Sequence, residues 1–169
     1  MKKNLVLLGM MGVGKTTLGK IIAEKQGKKF IDIDANIESR NLMTINEIFR
    51  RKGENFFRQE EEIEVLKCLK KDNCVIALGG GAFVNSKIRD VVLKIAVSFW
   101  LDIDVKIIKQ RVKRTQKRPL LEKNNVQKTI EDLLLKRKNF YKLADHKIIC
   151  DKLNKEDITN KIIDLYENH

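Results

Sequence analysis

A glycine-rich segment between an apolar run and a helical pattern constrains the fold of this chain more than any other feature. Residues 4–8 are typical of a buried strand, and the segment G-M-M-G-V-G-K-T follows at Gly9–Thr16. Apolar residues then recur at helical spacing over residues 15–26, before a stop signal at Gly27. A strand that passes through glycines directly into a helix predicts the first unit of an α/β fold.

The glycine-rich segment matches the P-loop pattern G-x-x-x-x-G-K-[ST] at every fixed position. Glycines let the backbone wrap around phosphates, and successive N–H groups with the helix N-terminus supply positive potential. Lys15 is expected to reach the β- and γ-phosphates and to be catalytic, and the Thr16 hydroxyl is expected to ligate Mg²⁺. The segment therefore predicts a nucleoside triphosphate site with one Mg²⁺ ion per subunit, although a P-loop alone does not separate a GTPase, a motor ATPase and a metabolite kinase, for which ATP would be the co-substrate. The predicted ATP-binding residues of this segment are Gly12, Val13, Gly14, Lys15, Thr16 and Thr17.

Strand and helix patterns alternate over the rest of the chain. Together with the length of 169 residues, this predicts a single α/β domain, residues 1–169, with a parallel sheet covered by helices on both sides. Residues 114–125 fit neither period and are predicted to form a mobile loop. The other predicted strands are 29–33, 74–78, 95–101 and 147–150, and the other predicted helices are 44–53, 54–71, 85–93, 104–113, 126–143 and 156–167.

Composition limits the partners that we expect. A net charge of +12 suits either nucleic acid or polyanionic small ligands, but the lysines are spread over the chain and aromatic residues make up only 6%. The three cysteines form no C-x-x-C pair, which fits a reducing compartment. No run approaches the ~20 apolar residues of a membrane span. We therefore expect a cytoplasmic protein with no nucleic-acid or membrane partner.

Two aspartates after the second predicted strand are the candidate acidic ligands. Asp32 and Asp34 follow that strand, whereas strand 74–78 runs into Gly79–Gly81 with no carboxylate, and the guanine-recognition string N-K-x-D is absent. At strand spacing, positions 32 and 34 point to the same side, at the carboxyl edge of the sheet where ligands bind. One aspartate could hold Mg²⁺ through water while the other contacts a substrate hydroxyl and accepts its proton.

Several motifs, in the same order along the chain, resemble the shikimate kinase family. Besides the P-loop they are F-I-D-I-D-A-N-I-E (30–38), F-F-R (56–58), L-G-G-G-A (78–82), R-P-L-L (118–121) and R-K-N-F-Y-K-L-A (137–144). The resemblance extends from residue 4 to about residue 151. It implies a three-layer P-loop kinase fold with a central parallel five-stranded sheet, a substrate-binding helical region at about 34–61 and a mobile lid at about 112–125.

The resemblance also implies an acceptor site. Asp34 would bind the shikimate hydroxyls and serve as the base, while Arg58 and Arg137 would bind the carboxylate. The glycines Gly79, Gly80 and Gly81 would wrap the substrate ring. These roles agree with the chemistry of the side chains, since an arginine fork holds a carboxylate bidentately and glycines let a ring approach the backbone.

The resemblance also implies that two arginines of the lid contact the nucleotide. Arg118 would reach the phosphates and act in catalysis, and Arg114 would lie along the adenine, with residues 151–155 flanking the base. Asp32 would hold Mg²⁺ through water. A lid arginine that closes on the γ-phosphate would exclude water and suppress ATP hydrolysis.

The implied reaction is phosphorylation of the 3-hydroxyl of shikimate by ATP, in the biosynthesis of chorismate and aromatic amino acids, by a monomeric enzyme. Two alternatives stay open on the sequence. One is a related kinase for gluconate or a nucleotide, although the G-Y-P-R-type string of adenylate kinases is missing. The other is a nucleic-acid-linked P-loop ATPase, which would show salt-sensitive binding to DNA or RNA.

Overall fold

The protein is built on a parallel five-stranded sheet. The computed structural model describes residues 4–113 and 126–169, and the sheet that they form has the strand order β2–β3–β1–β4–β5. Neighbouring strands pair in parallel, with Leu5 opposite Val75 on one side of β1 and opposite Val97 on the other. The strands are β1 Asn4–Leu8, β2 Lys29–Asp32, β3 Cys74–Ala77, β4 Ala96–Asp102 and β5 His146–Ile149.

Helices connect successive strands, as parallel pairing requires. A short 3₁₀ helix, Ala82–Val84, also follows β3. Within the two described ranges, none of the helices combines the length and apolar character needed to cross a membrane. The α-helices are α1 Lys15–Lys25, α2 Ile33–Asn41, α3 Ile45–Leu69, α4 Ser86–Ile95, α5 Val105–Lys113, α6 Val126–Tyr141 and α7 Lys155–Glu167.

The core lies on both faces of the central strands. All residues of β1 and β3 are buried, and β4 is buried up to Leu101. Continuously apolar strands are expected where helices cover both faces of a sheet. The predicted α/β fold with a central parallel five-stranded sheet is therefore confirmed, and the observed strand and helix ends differ from the predicted ones by one or two residues for most elements.

The prediction for residues 29–33 is wrong at its end. The strand stops at Asp32, and α2 begins at Ile33 because the Asp32 side chain caps the helix, with Oδ1 accepting a hydrogen bond from the Ala35 N–H at 3.2 Å. An aspartate at the N-cap position satisfies an amide that has no partner within the helix. Asp34 therefore lies in the first turn of α2 and not on a strand.

The break predicted at Gly53 is present inside α3. The Gly53 backbone has φ 83° and ψ 169°, which is not helical and divides α3 at a kink. A capping box starts α3, because the Thr44 hydroxyl accepts from the Glu47 N–H at 3.2 Å and the Glu47 carboxylate accepts from the Thr44 N–H at 2.9 Å. The second half of α3 carries Arg58 towards the carboxyl edge of the sheet.

Candidate active site

A cavity of about 510 Å³ lies at the carboxyl edge of the sheet, next to β1, β2 and β3. It brings the P-loop together with the predicted acceptor residues, which come from four separate parts of the chain. Val13 instead lines a second cavity of about 340 Å³ that shares Gly12, Gly14 and Thr17 with the first. The predicted site residues that line the first cavity are Gly12, Gly14, Lys15, Thr16, Thr17, Asp32, Asp34, Arg58, Gly79, Gly80, Gly81 and Arg137.

The P-loop has the backbone conformation of an anion cradle. Gly9, Gly12 and Gly14 have φ values of 138°, 76° and 101°, which residues with a Cβ rarely adopt. Gly14 is the N-cap of α1 and provides no side-chain cap, so the first amides of the helix face the loop. The Lys15 ammonium donates to the carbonyls of Gly9 at 2.8 Å and Met10 at 2.9 Å. This lysine folds back over its own loop, where it adds positive charge.

Thr16 and Asp32 meet beside the P-loop. The Thr16 hydroxyl donates to Asp32 Oδ2 at 2.6 Å, and Asp32 Oδ1 caps α2. A hydroxyl and a carboxylate are the oxygen ligands that Mg²⁺ takes together with water and phosphates. The residues therefore fit the predicted ion, which Thr16 would bind directly and Asp32 through water.

Asp32 and Asp34 share the cavity for a different reason from the one predicted. The prediction that they lie on one side of a strand is wrong, because Asp32 is a helix cap and Asp34 is the second residue of α2. The first turn of α2 nevertheless turns Asp34 into the cavity, next to Gly79. A carboxylate at this place can orient a hydroxyl and accept its proton.

Arg58 is held by two glutamates of its own helix. Its Nη1 lies 2.7 Å from Glu61 Oε2, and its Nη2 lies 3.3 Å from Glu54 Oε1. Burial lowers the pKa of Arg58, but Glu61 and Glu54 outweigh that effect and raise it. The guanidinium is therefore a fixed positive charge on the wall of the cavity.

Glu61 is a buried carboxylate that the sequence analysis missed. Its side chain is only 2% exposed, and burial raises its pKa, opposed by Arg58 and reinforced by Asp34. Among the described residues, its second oxygen, Oε1, has no hydrogen-bond partner. Helical spacing could have indicated that Glu61 is buried, because it follows the buried Phe57 by four residues and precedes the buried Val65 by four.

The triple glycine lets charged side chains approach the loop after β3. A Cβ on Gly79 would lie 2.5 Å from Glu61 Oε1 and 2.8 Å from Asp34 Oδ1. A Cβ on Gly81 would lie 2.6 Å from Arg58 Nη1. The glycines therefore leave room for the side chains of the site.

Arg137 reaches the same loop from α6. It is only 6% exposed, although its neighbours Lys136 and Lys138 are exposed. A Cβ on Gly80 would lie 3.0 Å from Arg137 Nη1. Two guanidinium groups, from α3 and α6, thus converge on the glycine loop from different sides.

Arg111 also contacts the P-loop and was not predicted. Its Nη1 donates to the Gly12 carbonyl at 3.2 Å and approaches the Val13 carbonyl at 3.5 Å. It lines both cavities, and Leu153 and Lys155 line the second one, in the segment expected to flank the base. Arg111 lies on the predicted helix 104–113, and no motif in that helix distinguishes it from an ordinary surface arginine.

The predicted roles of Arg114 and Arg118, and nearly all of the predicted lid at 112–125, lie outside the described residues. The described part of the chain still defines the class of protein. A P-loop with its lysine and a threonine hydroxyl shares one cavity with two arginines and an aspartate. This arrangement is that of a P-loop kinase with a small anionic acceptor.

Comparison with known proteins identifies the family. The shikimate kinase family profile matches residues 11–167. The shikimate kinase of Thermodesulfovibrio yellowstonii is 41% identical over 165 residues, which cover 98% of this chain and 95% of that protein. The shikimate kinase of Sulfurihydrogenibium sp. is 39% identical over 161 residues, covering 95% and 96%. The solved structure of the Acinetobacter baumannii shikimate kinase in complex with shikimate matches with a TM-score of 0.94 and 33% identity, covering 98% of this chain and 93% of that one.

The chain therefore belongs to the shikimate kinase family, and it is a phosphotransferase with an alcohol group as acceptor. The resemblance given by the sequence motifs is confirmed. The matches support this family over the gluconate, nucleotide and nucleic-acid alternatives.

Proposed function

We propose that this enzyme transfers the γ-phosphoryl group of ATP to the 3-hydroxyl of shikimate, giving shikimate 3-phosphate and ADP. The observation that carries the proposal is the convergence of Arg58 and Arg137 on the glycine loop, in the same cavity as Lys15 and Asp34. Two guanidinium groups suit a planar carboxylate, and a carboxylate suits a hydroxyl. The acceptor is thus a hydroxy acid whose hydroxyl faces the P-loop.

The acceptor end of the cavity fixes the orientation of the substrate. Arg58 and Arg137 bind its carboxylate at the glycine loop, and Asp34 accepts a hydrogen bond from the hydroxyl that reacts. Because Glu61 holds Arg58 from behind at 2.7 Å, that guanidinium needs little ordering when the substrate binds. Such preorganisation lowers the entropic cost of reaching the reactive geometry.

In the transfer step, the hydroxyl oxygen forms a bond to the γ-phosphorus while the bond from that phosphorus to the ADP oxygen breaks. The hydroxyl proton passes to Asp34, and the electron pair of the broken bond stays on ADP. Lys15 and the amides at the start of α1 neutralise charge on the phosphates. Thr16 and Asp32 would hold Mg²⁺, which would supply further charge neutralisation for the phosphates.

Two arginines that lie outside the described residues are assigned from the sequence alone. We propose that Arg118 would complete the charge stabilisation at the γ-phosphate and that Arg114 would bind the adenine. We also propose that the enzyme acts as a monomer in the cytoplasm. The cysteines Cys68, Cys74 and Cys150 are free thiols, as a reducing compartment would keep them.

The proposal is tested by coupled measurement of ADP release with Mg-ATP, comparing shikimate, gluconate and AMP as acceptors. We expect a large rate that depends on shikimate and only background rates with the other two. A preference for gluconate or AMP would overturn the assignment of the acceptor pocket. Equal rates with and without any acceptor would indicate an ATPase instead.

A further inference from the structure

Tyr141 makes a buried polar contact between α6 and the glycine loop. It is the last residue of α6 and is only 1% exposed. Its hydroxyl donates a hydrogen bond to the carbonyl of Gly80, and Arg137 lies one helical turn earlier on α6 with its Nη1 beside the same glycine. The sulfur of Met10 in the P-loop lies 3.7 Å from the hydroxyl oxygen, and the Trp100 ring centroid lies 5.9 Å from the tyrosine ring.

The direction of these hydrogen bonds is fixed by the chemistry of the three groups. A guanidinium can only donate and a carbonyl can only accept, whereas a phenol has one proton and can do both. The proton of Tyr141 goes to the Gly80 carbonyl, so towards Arg137 the phenol oxygen can act only as an acceptor. Burial raises the pKa of Tyr141 to about 12, so the hydroxyl keeps this proton over the physiological range.

Two parts of the acceptor pocket meet at this hydroxyl. The Arg137 guanidinium lies beside Gly80, where a Cβ would come within 3.0 Å of its Nη1, and the buried phenol oxygen of Tyr141 offers it an acceptor. The Gly80 carbonyl is held towards α6, and in a planar trans peptide the N–H of Gly81 then points to the opposite side of the loop. The hydroxyl thus sets the direction of the guanidinium and of the peptide plane between Gly80 and Gly81.

We propose that Tyr141 is a positioning residue for the acceptor, which acts by orienting Arg137 and the Gly80–Gly81 peptide through its hydroxyl group. The inference rests on the proposed function, because it takes Arg137 and the glycine loop as the acceptor site. A tyrosine that served only for packing would act through its ring against Trp100 and Met10. Phenylalanine would then replace it without loss.

The test is Tyr141→Phe, which keeps the ring and removes the hydroxyl. Its kinetic constants are compared with those of the wild type, varying shikimate and ATP separately. We expect the KM for shikimate to rise about tenfold, because Arg137 loses the proposed acceptor and the partly buried Gly80 carbonyl loses its donor. We expect the KM for ATP to stay within about twofold, because the change lies at the acceptor end of the cavity.

A matched control is Tyr166→Phe, since Tyr166 is the other of the two tyrosines and is buried on α7. This variant loses a hydroxyl from a buried tyrosine and should keep both KM values. The melting temperature of each variant shows whether any change comes from general destabilisation. A second comparison introduces Tyr141→Phe into Arg137→Ala, where its effect on the KM for shikimate should be smaller than in the wild type.

Three results would overturn the inference. The first is an unchanged KM for shikimate in Tyr141→Phe, and the second is an equal effect of this substitution with and without Arg137. If Tyr141→Phe does not fold, the inference is tested by NMR of the Arg137 guanidinium in the wild type. Restricted rotation of the guanidinium would support the inference. Free rotation would be the third result that contradicts it. Absence of shikimate-dependent turnover in the wild type would instead overturn the proposed function itself, and this inference with it.

Discussion

Glu61 lies directly behind Arg58, with its Oε2 2.7 Å from the guanidinium Nη1 and its Oε1 against Gly79. One buried carboxylate therefore touches both the arginine that would hold the substrate and the loop that would surround it. The electrostatic effect on Glu61 is mixed, because burial raises its pKa, Arg58 lowers it and Asp34 raises it again. Because Glu61 contacts both Arg58 and Gly79, a substitution of Glu61 should disturb the acceptor pocket.

Glu61→Gln should raise the KM for shikimate about tenfold, because Arg58 loses a charged partner and becomes less well ordered. The KM for ATP should not change. Steady-state kinetics with each substrate varied in turn provides the measurement. An effect on ATP alone would show that Glu61 acts somewhere other than the acceptor pocket.

The raised pKa of Glu61 also predicts how stability depends on pH. The folded protein binds a proton at Glu61 more tightly than the unfolded chain, whose carboxyl has the ordinary value of 4.5. The contribution of Glu61 to the free energy of unfolding is therefore fully present below that value and is lost as pH rises through the folded pKa. Urea unfolding of wild type and Glu61→Gln between about pH 4 and pH 8 should show the difference, wild type minus variant, falling as pH rises. A difference that is flat or increases would contradict the raised pKa.

Gly81→Ala should displace Arg58, because the new Cβ would lie 2.6 Å from Nη1 and 2.7 Å from Nη2. Arginine is flexible enough to move away, so we expect folding to survive and the KM for shikimate to rise. The control is Gly27→Ala, which has φ 59° but no atom within 4 Å of the new Cβ. It should lose about 1–2 kcal/mol of stability through backbone strain and keep its KM values. If both variants show the same kinetics as the wild type, the glycine is not needed to make room for Arg58.

The sequence predicts site residues well when they belong to a contiguous motif. It predicts them poorly when their role depends on how distant parts of the chain pack together. The P-loop was readable because its glycines, lysine and threonine are contiguous, and Asp34 was identified although the strand geometry assumed for it was wrong. Periodicity did not indicate α2, although the family resemblance implied a helical region from about residue 34, because its sequence provides only two buried apolar residues, Ile33 and Ile37, and its start depends on the side chain of Asp32. Glu61 was missed because it stands in a run of three glutamates, Glu60–Glu62, and only the packing of α3 shows which one is buried.

Asp34→Asn should lower kcat at least about 100-fold, because an amide cannot accept the proton of the reacting hydroxyl. ATP binding should persist, since the substitution leaves the P-loop glycine backbone and the N-terminus of α1 unchanged. Calorimetric titration with a non-hydrolysable ATP analogue and single-turnover rates together give the two quantities. Near-normal turnover would show that Asp34 neither orients the hydroxyl nor accepts its proton, and lost nucleotide binding would place its effect at the P-loop.

Asp32→Asn should change the dependence of the rate on Mg²⁺ more than the stability of the fold. Asparagine is as good an N-cap as aspartate, so Oδ1 can still accept from the Ala35 N–H and α2 should still begin at the same residue. The amide has no charge to stabilise a hydrated ion beside Thr16, and the loss of such an outer ligand costs about 10- to 100-fold in metal affinity. We therefore expect the Mg²⁺ concentration for half-maximal rate to rise by that factor, with an unchanged melting temperature, while Thr16→Ser as a control keeps the hydroxyl and the wild-type dependence. An unchanged Mg²⁺ dependence in Asp32→Asn would mean that Asp32 serves α2 as a cap and that the ion is held by other groups.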